Sequence, residues 1–148
     1  MKIYFDTCSL QRPLDNRSQL RIATEAEAIL GILFWLSETD TLDLISSDAL
    51  VFEVERIPNV YRKHYVLEVL EESNIFIELN DEIEAHAKTF HAIGIKTLDA
   101  LHLACAEYAK ADYFCTCDDK LLKKAKTLKE IKTKAVSPLE LIVEVKEP

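Results

Sequence analysis

Lys2-Ile3-Tyr4-Phe5-Asp6, near the start of the 148-residue chain, is a short β-rich run that ends on an acidic residue. Similar runs recur along the chain, with helix-like stretches between them. They cover residues 42–45, 75–79, 113–116 and 134–136. Strands that alternate with helices form right-handed crossovers and a parallel sheet buried on both faces. The order therefore predicts an α/β fold around a mostly parallel sheet of about five strands.

The intervening helices are predicted from apolar residues at three- and four-residue spacing and from capping residues. Ser47 is a suitable N-cap for the second helix, Gly94 is placed to end the fourth, and Ser137-Pro138 opens the last. The predicted helices before the last one cover residues 18–38, 48–56, 61–72, 80–93, 97–108 and 118–127, and residues 11–18 are predicted to form a loop. Because no repeat or linker interrupts this order, residues 1–148 are expected to form one domain.

Composition excludes several classes of protein. Only two glycines occur, so the glycine-rich phosphate loops of nucleotide-binding enzymes are absent. The longest apolar stretch, residues 29–36, is too short to span a membrane, and no signal peptide is evident. The four cysteines are expected to be reduced thiols of a cytoplasmic protein. Neither cysteines nor histidines show zinc-site spacing.

Charge is distributed unevenly along the chain. The net charge of -8 argues, taken whole, against a nucleic-acid partner. Residues 1–119 carry a net charge of -12, however, and residues 120–148 carry +4. Seven lysines lie between Lys120 and Lys134, which suits either a solvated helix face or a surface for a polyanion. If bound cations neutralise the acidic part, the overall acidity no longer excludes an RNA partner.

Four acidic residues lie where strands end or helices begin. Asp6 follows the first strand and Asp118 the fourth, whereas Glu53 and Asp99 lie in helices among apolar neighbours. Taken singly, Asp99 and Asp118 are explained by helix capping. In an open parallel sheet, however, functional groups gather at the carboxyl ends of the strands. The four carboxylates are therefore expected to converge at one edge of the sheet.

Converging carboxylates repel one another and cannot all stay ionised without a cation. No histidine or cysteine motif accompanies them, so the ligands are oxygens, which favour Mg²⁺ or Mn²⁺. Such an ion suits phosphoryl chemistry, and no Ser–His or Cys–His pair offers another nucleophile. The hypothesis that follows is hydrolysis of a phosphodiester bond by a metal-activated water.

Four segments of the chain together resemble a known family. They are residues 1–7 (MKIYFDT), residues 45–47 (ISS) with Glu53, residues 97–104 (TLDALHLA) and residues 114–122 (FCTCDDKLL). In this order and spacing they are similar to the PIN-domain ribonucleases, with likeness to VapC toxins, over essentially the whole chain. No single segment is specific, but the ordered set is, and TLDALHLA contributes most.

The resemblance implies a three-layer α/β/α sandwich and a metal-dependent endoribonuclease using Mg²⁺ or Mn²⁺. Asp6, Glu53, Asp99 and Asp118 match the family's acidic positions, with the three aspartates expected to hold the metal and Glu53 to complete its shell or orient the water. Thr116 and Asp119 are expected to support the site. Many relatives are dimeric toxins inhibited by a small antitoxin protein. RNA-backbone contacts are assigned to Arg12, Arg17, Arg21, Lys120, Lys123 and Lys124.

Two other functions stay open from the sequence. One is a non-catalytic PIN-fold module that binds a protein or RNA, although all four acids are present. The other is a metal-dependent phosphatase with Asp6 as nucleophile. That chemistry usually needs a second acid two residues later, where this chain has Cys8.

Overall fold

A five-stranded parallel sheet forms the centre of the protein, in a computed structural model that describes residues 1–145. Its strand order is β3-β2-β1-β4-β5, and every neighbouring pair is parallel. The strands are β1 (Lys2–Phe5), β2 (Asp43–Ser47), β3 (Ile75–Ile77), β4 (Tyr113–Cys115) and β5 (Lys134–Val136). The predicted sheet of about five strands is confirmed.

Eight α-helices within residues 1–145 surround the sheet. They are α1 (Thr7–Gln11), α2 (Leu20–Glu38), α3 (Asp48–Glu55), α4 (Val60–Glu71), α5 (Asp81–Ala92), α6 (Thr97–Tyr108), α7 (Asp119–Lys126) and α8 (Pro138–Glu144). The chain moves outward from β1 through β2 to β3, then returns to β4 and continues to β5. Right-handed crossovers in opposite directions place helices on opposite faces, which gives the expected α/β/α sandwich.

The strand order reverses between β1 and β4, and this position determines where the site lies. Open α/β sheets bind ligands in the crevice outside the carboxyl ends of the strands at such a switch point. Asp6 follows β1 and Asp118 lies three residues beyond the end of β4, so both are at this crevice. The backbone N–H of Asp6 donates to the carbonyl of Cys115 at 3.1 Å, which extends the pairing of the two strands to the crevice.

The largest difference from the predicted elements concerns the segment after β1. Residues 11–18 were expected to form a loop, but helix α1 covers Thr7–Gln11 and a 3₁₀ turn covers Arg12–Leu14, with α2 starting only at Leu20. Helix α1 forms because Asp6 caps it by accepting a hydrogen bond from Ser9 N, while Leu10 is fully buried. A five-residue helix is too short to show an apolar period, so α1 was not predicted. The predicted loop was wrong at residues 11–14 and is confirmed at residues 15–18.

The core is built around the central strand β1. Ile3, Tyr4 and Phe5 are all fully buried, as expected for a strand covered on both faces. The capping predictions for Ser47 and Ser137 are confirmed, since each side chain accepts from the backbone of the helix that follows. Within residues 1–145, no helix combines the length and apolarity needed to cross a membrane. The four cysteines are free thiols.

Candidate active site

The four predicted acids line one cavity of about 180 Å³ at the switch point. Asp6 and Asp118 come from the segments after β1 and β4, Glu53 from α3 and Asp99 from the first turn of α6. The remaining lining residues are Thr7, Cys8, Arg12 and Cys117. Four residues scattered over more than 110 positions of sequence are thus brought together by the topology alone.

Asp6 is the most deeply buried of the acids. Asp6 is 3% exposed, and its Oδ1 accepts a hydrogen bond from Ser9 N at 3.0 Å. Each of its two carboxylate oxygens lies 3.1 Å from the sulfur of Cys8. Burial raises the pKa of Asp6 above its usual value, although hydrogen bonds from Thr116, Cys8 and Ser9 oppose the shift. A carboxylate held this way is stabilised further by any cation that approaches it.

Asp118 has a structural role as well as a place in the cavity. Its Oδ1 accepts from Lys120 N at 2.9 Å and Leu121 N at 3.2 Å, so it is the N-cap of α7. The Oγ1 of Thr116 accepts from Asp118 N at 3.0 Å and lies 3.6 Å from the sulfur of Cys8. Capping uses only Oδ1 of Asp118, so its second carboxylate oxygen can still take part in the chemistry of the cavity.

The surroundings of Asp99 also oppose its negative charge. It lies in the first turn of α6, whose N-cap is Lys96 rather than Asp99, so capping does not account for it. Burial, together with the negative charges of Asp6, Glu53 and Asp118, raises the pKa of Asp99 to about 6. This mutual repulsion is the electrostatic signature expected of a cation site.

Glu53 is the exception, because the protein itself stabilises its ionised form. Its Oε1 accepts from His102 Nε2 at 2.9 Å and also from the hydroxyl of Thr7. Burial raises the pKa of Glu53, but the hydrogen bonds from His102 and Thr7 outweigh it, so the pKa lies below its usual value. Glu53 is therefore a carboxylate at neutral pH.

Sequence reasoning did not identify two groups at this site. His102 is fully buried, yet its ring contacts Glu53 on one side and the hydroxyl of Tyr4 on the other. Cys8 is exposed, and its thiol donates a hydrogen bond to Asp6. His102 carries a usable signal, since it lies on the same helix as Asp99 and three residues after it, whereas a lone cysteine after a strand carries none.

The donor set suits a hard divalent cation, but its present arrangement is not that of a preformed site. Carboxylate oxygens are the ligands that Mg²⁺ and Mn²⁺ prefer. Within residues 1–145, however, no three Asp, Glu, His or Cys side chains are grouped closely enough to hold a metal ion where they stand. Asp6, Glu53 and Asp118 are each engaged by hydrogen-bond donors of the protein. The carboxylates would therefore have to reorient around an ion.

The basic residues assigned to RNA differ in position. Arg12 lines the acidic cavity and contacts Asp15 at 3.0 Å and the buried Glu25 at 3.2 Å. Arg21 forms a two-pronged ion pair with Asp119 at 2.7 and 2.8 Å. Arg17 pairs with Glu27 at 2.5 Å, away from the cavity lining.

The lysines of α7 lie next to the site. Lys120 and Lys124 line a second, smaller cavity that Asp99 and Asp118 also border, and Lys124 donates to the carbonyl of Gly94 at 2.6 Å. Lys123 is exposed on the same helix and lines neither cavity. Lys120 and Lys124 are thus the cations of this helix that border the acids.

Solved structures of three bacterial proteins have the same fold. VapBC-1 from nontypeable Haemophilus influenzae superposes with a TM-score of 0.64 at 15% identity, covering 94% of this chain and 99% of that one. VapBC2 from Rickettsia felis, bound to a promoter DNA fragment, gives 0.61 at 12%, covering 93% and 98%. VapC20 from Mycobacterium tuberculosis, a sarcin-ricin loop cleaving toxin, gives 0.54 at 13%, covering 89% and 98%.

Sequence comparison gives the family directly. A comparison with curated proteins found no significant match. The sequence model of the PIN domain, in contrast, matches residues 3–127, which include β4, all of β1 except Lys2, and all four acids of the cavity. The match agrees with the parallel sheet and with the fold of the VapC structures. The chain belongs to the PIN domain family.

Proposed function

We propose that this protein is a divalent-metal-dependent endoribonuclease, a single nuclease domain over residues 1–148. The observation that carries the proposal is the convergence of Asp6, Glu53, Asp99 and Asp118 on one cavity at the switch point of the sheet. The PIN domain match over residues 3–127 supports a nuclease of this kind.

Mg²⁺ or Mn²⁺ fits the proposed chemistry because it lowers the pKa of water and neutralises charge on the phosphate. Asp6, Asp99 and Asp118 would hold the ion, Asp6 and Asp118 after turning from the donors that they now bind. Glu53 stays ionised through its bonds to His102 and Thr7, so it can accept a proton or orient the attacking water. Thr116 supports Asp118 by accepting its backbone N–H.

The substrate proposed is single-stranded RNA. Arg12 inside the cavity, Arg21 beside Asp119, and Lys120 and Lys124 beside Asp118 supply cations around the acids, whereas Arg17 and Lys123 would extend this surface outward. Such contacts position the phosphate backbone without selecting a sequence. The binding is expected to weaken with salt and to require the divalent ion, because the carboxylates otherwise repel the phosphates.

A role as the toxin of a toxin–antitoxin pair is part of the proposal. The similar structures from Haemophilus and Rickettsia are titled as VapBC assemblies. By analogy, we expect a small antitoxin partner and a homodimer. Co-expression with the product of the neighbouring reading frame, followed by purification of a stable complex, is the direct test of the partner.

The test of the enzyme is RNA cleavage by the purified protein with Mg²⁺ or Mn²⁺. Wild type is expected to cut single-stranded RNA, and chelation by EDTA is expected to stop it. Asp6→Asn removes one negative charge from the most buried acid with little change of shape, so it should abolish cleavage. Cleavage by Asp6→Asn at the wild-type rate would overturn the proposal.

One observation favours a second function, that of a non-catalytic module acting through a partner. The acids are not grouped to hold an ion in the described residues, and three of them are satisfied by protein donors. Isothermal titration calorimetry distinguishes the two functions. Absence of Mn²⁺ binding at millimolar concentration would favour the non-catalytic module, whereas binding that Asp6→Asn abolishes would favour the enzyme.

A further inference from the structure

A continuous chain of hydrogen bonds runs from the core to the edge of the acidic cavity. Ser47 Oγ lies 2.7 Å from the Tyr4 hydroxyl, which lies 2.7 Å from His102 Nδ1. On the other side of the ring, His102 Nε2 lies 2.9 Å from Glu53 Oε1. Ser47, Tyr4 and His102 are all fully buried. The proposed chemistry uses His102 only to keep Glu53 ionised, and it assigns nothing to Tyr4 and Ser47.

The bonding capacity of each group determines the direction of this chain. An ionised carboxylate only accepts, so Nε2 of His102 must carry the hydrogen that it donates to Glu53. In a neutral ring, Nδ1 then accepts from the Tyr4 hydroxyl, and Tyr4 in turn accepts from Ser47. Burial raises the pKa of Tyr4 well above its usual value, so its hydroxyl keeps the proton that it donates. Each buried polar atom of the chain is thereby satisfied.

The two donors to Glu53 reach the same oxygen. Both His102 and Thr7 bond Oε1, and no hydrogen bond from residues 1–145 reaches Oε2. Glu53 lines the acidic cavity and its side chain is 31% exposed, in contrast to the buried ring behind it. The carboxylate is therefore held by one oxygen, and the other is left for a water or a cation.

We infer that His102 is a positioning residue that, with Tyr4 and Ser47 behind it, holds Oε1 of Glu53 and reserves Oε2 for the reaction. The inference rests on the proposed function, since it gives Glu53 a fixed orientation toward the cavity. The cost of burying a complete polar chain in the core supports it, because a packed apolar side chain at position 102 would avoid that cost. Partners of this kind typically change metal affinity or activity by about 10–100-fold when removed.

A matched pair of substitutions isolates the contact with Glu53. A glutamine amide can reach the position of Nε2, whereas an asparagine amide reaches that of Nδ1. His102→Gln therefore keeps a donor for Glu53, and His102→Asn keeps only the partner of Tyr4. Both variants bury one neutral amide at position 102, and their side chains differ by one methylene group. His64→Asn, at an exposed histidine of α4, controls for the substitution itself.

Three measurements on the purified chain test the inference. RNA cleavage gives kcat and KM, calorimetry gives the affinity for Mn²⁺, and ¹⁵N NMR of the histidine rings reports which nitrogen carries the hydrogen. His102→Asn is expected to lose about 10–100-fold in kcat or Mn²⁺ affinity. His102→Gln is expected to stay within a few-fold of wild type, and the spectrum of wild type to show the hydrogen on Nε2 of His102.

A double-mutant cycle separates positioning from general damage. In a Glu53→Gln background, His102→Asn is expected to add less than about twofold, because its effect passes through Glu53. Equal activity of His102→Asn and His102→Gln, or a full further loss in the Glu53→Gln background, would overturn the inference. If His102→Asn does not fold, Tyr4→Phe interrupts the same chain by removing one hydroxyl, and an unchanged kcat and Mn²⁺ affinity then overturns it. A wild type that neither binds Mn²⁺ nor cleaves RNA overturns the proposed function instead.

Discussion

The thiol of Cys8 lies 3.1 Å from both carboxylate oxygens of Asp6, so the most buried acid of the site is covered by a sulfur donor. A cation that binds Asp6 must take the place of this donor on at least one oxygen. Cys8 therefore competes with the metal proposed for the cavity. The strength of the hydrogen bond from Cys8 to this buried carboxylate determines how much the metal affinity is lowered.

Replacing Cys8 is expected to change the affinity for Mn²⁺ in a way that depends on the donor left behind. Cys8→Ala removes the donor and should raise the affinity by about threefold to tenfold, since one net hydrogen bond is worth about 1 kcal/mol. Cys8→Ser keeps a hydroxyl donor and should remain near wild type. Calorimetric titration with Mn²⁺ measures both. Weaker binding by Cys8→Ala than by Cys8→Ser would show that the side chain helps the metal rather than competes with it.

The raised pKa of Asp99 predicts a stability that falls as pH rises. The folded protein holds a proton on Asp99 up to a pKa of about 6, whereas an unfolded aspartate releases it near 3.8. Folding thus becomes less favourable between these values, and the full penalty is present above pH 6. This shift in the pKa of Asp99 corresponds to a loss of roughly 3 kcal/mol in the free energy of unfolding. Partial exposure of Asp99 to solvent reduces the loss to about 1–2 kcal/mol.

Asp99→Asn should therefore stabilise the metal-free protein by about 1–2 kcal/mol at pH 7.5 and change little at pH 4. Urea unfolding in the presence of EDTA at the two pH values measures the difference. The comparison at pH 4 serves as the control, because the folded protein then keeps the proton on Asp99 and an unfolded aspartate is about half protonated, so most of the penalty is absent. A stability difference that does not depend on pH would contradict the electrostatic origin of the shift.

The elements that the sequence predicted well are those whose signal is local and periodic. Long helices such as α2 have apolar residues every three or four positions, and some strands end at an acid. The predicted bounds of these elements lie within a few residues of the observed ones. Helix α1 was missed because its five residues are too few for a period and its stability comes from the Asp6 cap. The burial of Leu10 in the core, which no local pattern shows, adds to the effect of this cap.

The site shows the same division between local and tertiary information. Asp6, Glu53, Asp99 and Asp118 were expected together because the carboxyl ends of parallel strands share an edge, and the cavity contains all four. What could not be predicted is which donors each acid meets. The bond between His102 and Glu53 joins residues 49 positions apart, and the pairing of Arg21 with Asp119 joins residues 98 positions apart. These contacts depend on packing geometry.

The ion pair between Arg21 and Asp119 predicts opposite effects on RNA binding for its two members. If Arg21 contacts the RNA backbone, Arg21→Ala should weaken binding severalfold and reduce its dependence on salt. Asp119→Asn frees the guanidinium and removes a repelling charge, so binding should strengthen. Fluorescence anisotropy with a labelled single-stranded RNA and Mn²⁺, over a series of salt concentrations, measures both. Lys88→Ala on α5, outside the cavity lining, is the control. Weakening by both variants would indicate that the ion pair is needed intact.

The last prediction concerns the buried carboxylate of Glu25, which supports the basic side of the cavity. Glu25 is 2% exposed and contacts Arg12 at 3.2 Å and Arg21 at 3.4 Å, joining α2 to the turn that carries Arg12. Removing one partner of a buried ion pair costs about 3–5 kcal/mol, and the cost is lower here because Arg12 keeps Asp15 and Arg21 keeps Asp119. Glu25→Gln should therefore lower the free energy of unfolding by about 2–3 kcal/mol.

Glu27→Gln provides the matched control, because it removes the same charge two residues further along α2, from an exposed pair with Arg17. Exposed ion pairs contribute little, so this variant should change stability by less than about 1 kcal/mol. Urea unfolding at pH 7.5 measures both variants, and the effect of Glu25→Gln on the Arg12 side of the cavity should appear as weaker RNA binding. Equal effects of the two substitutions on unfolding would show that Glu25 is not the buried anchor of Arg12 and that the cations of the cavity are held by Asp15 and Asp119 instead.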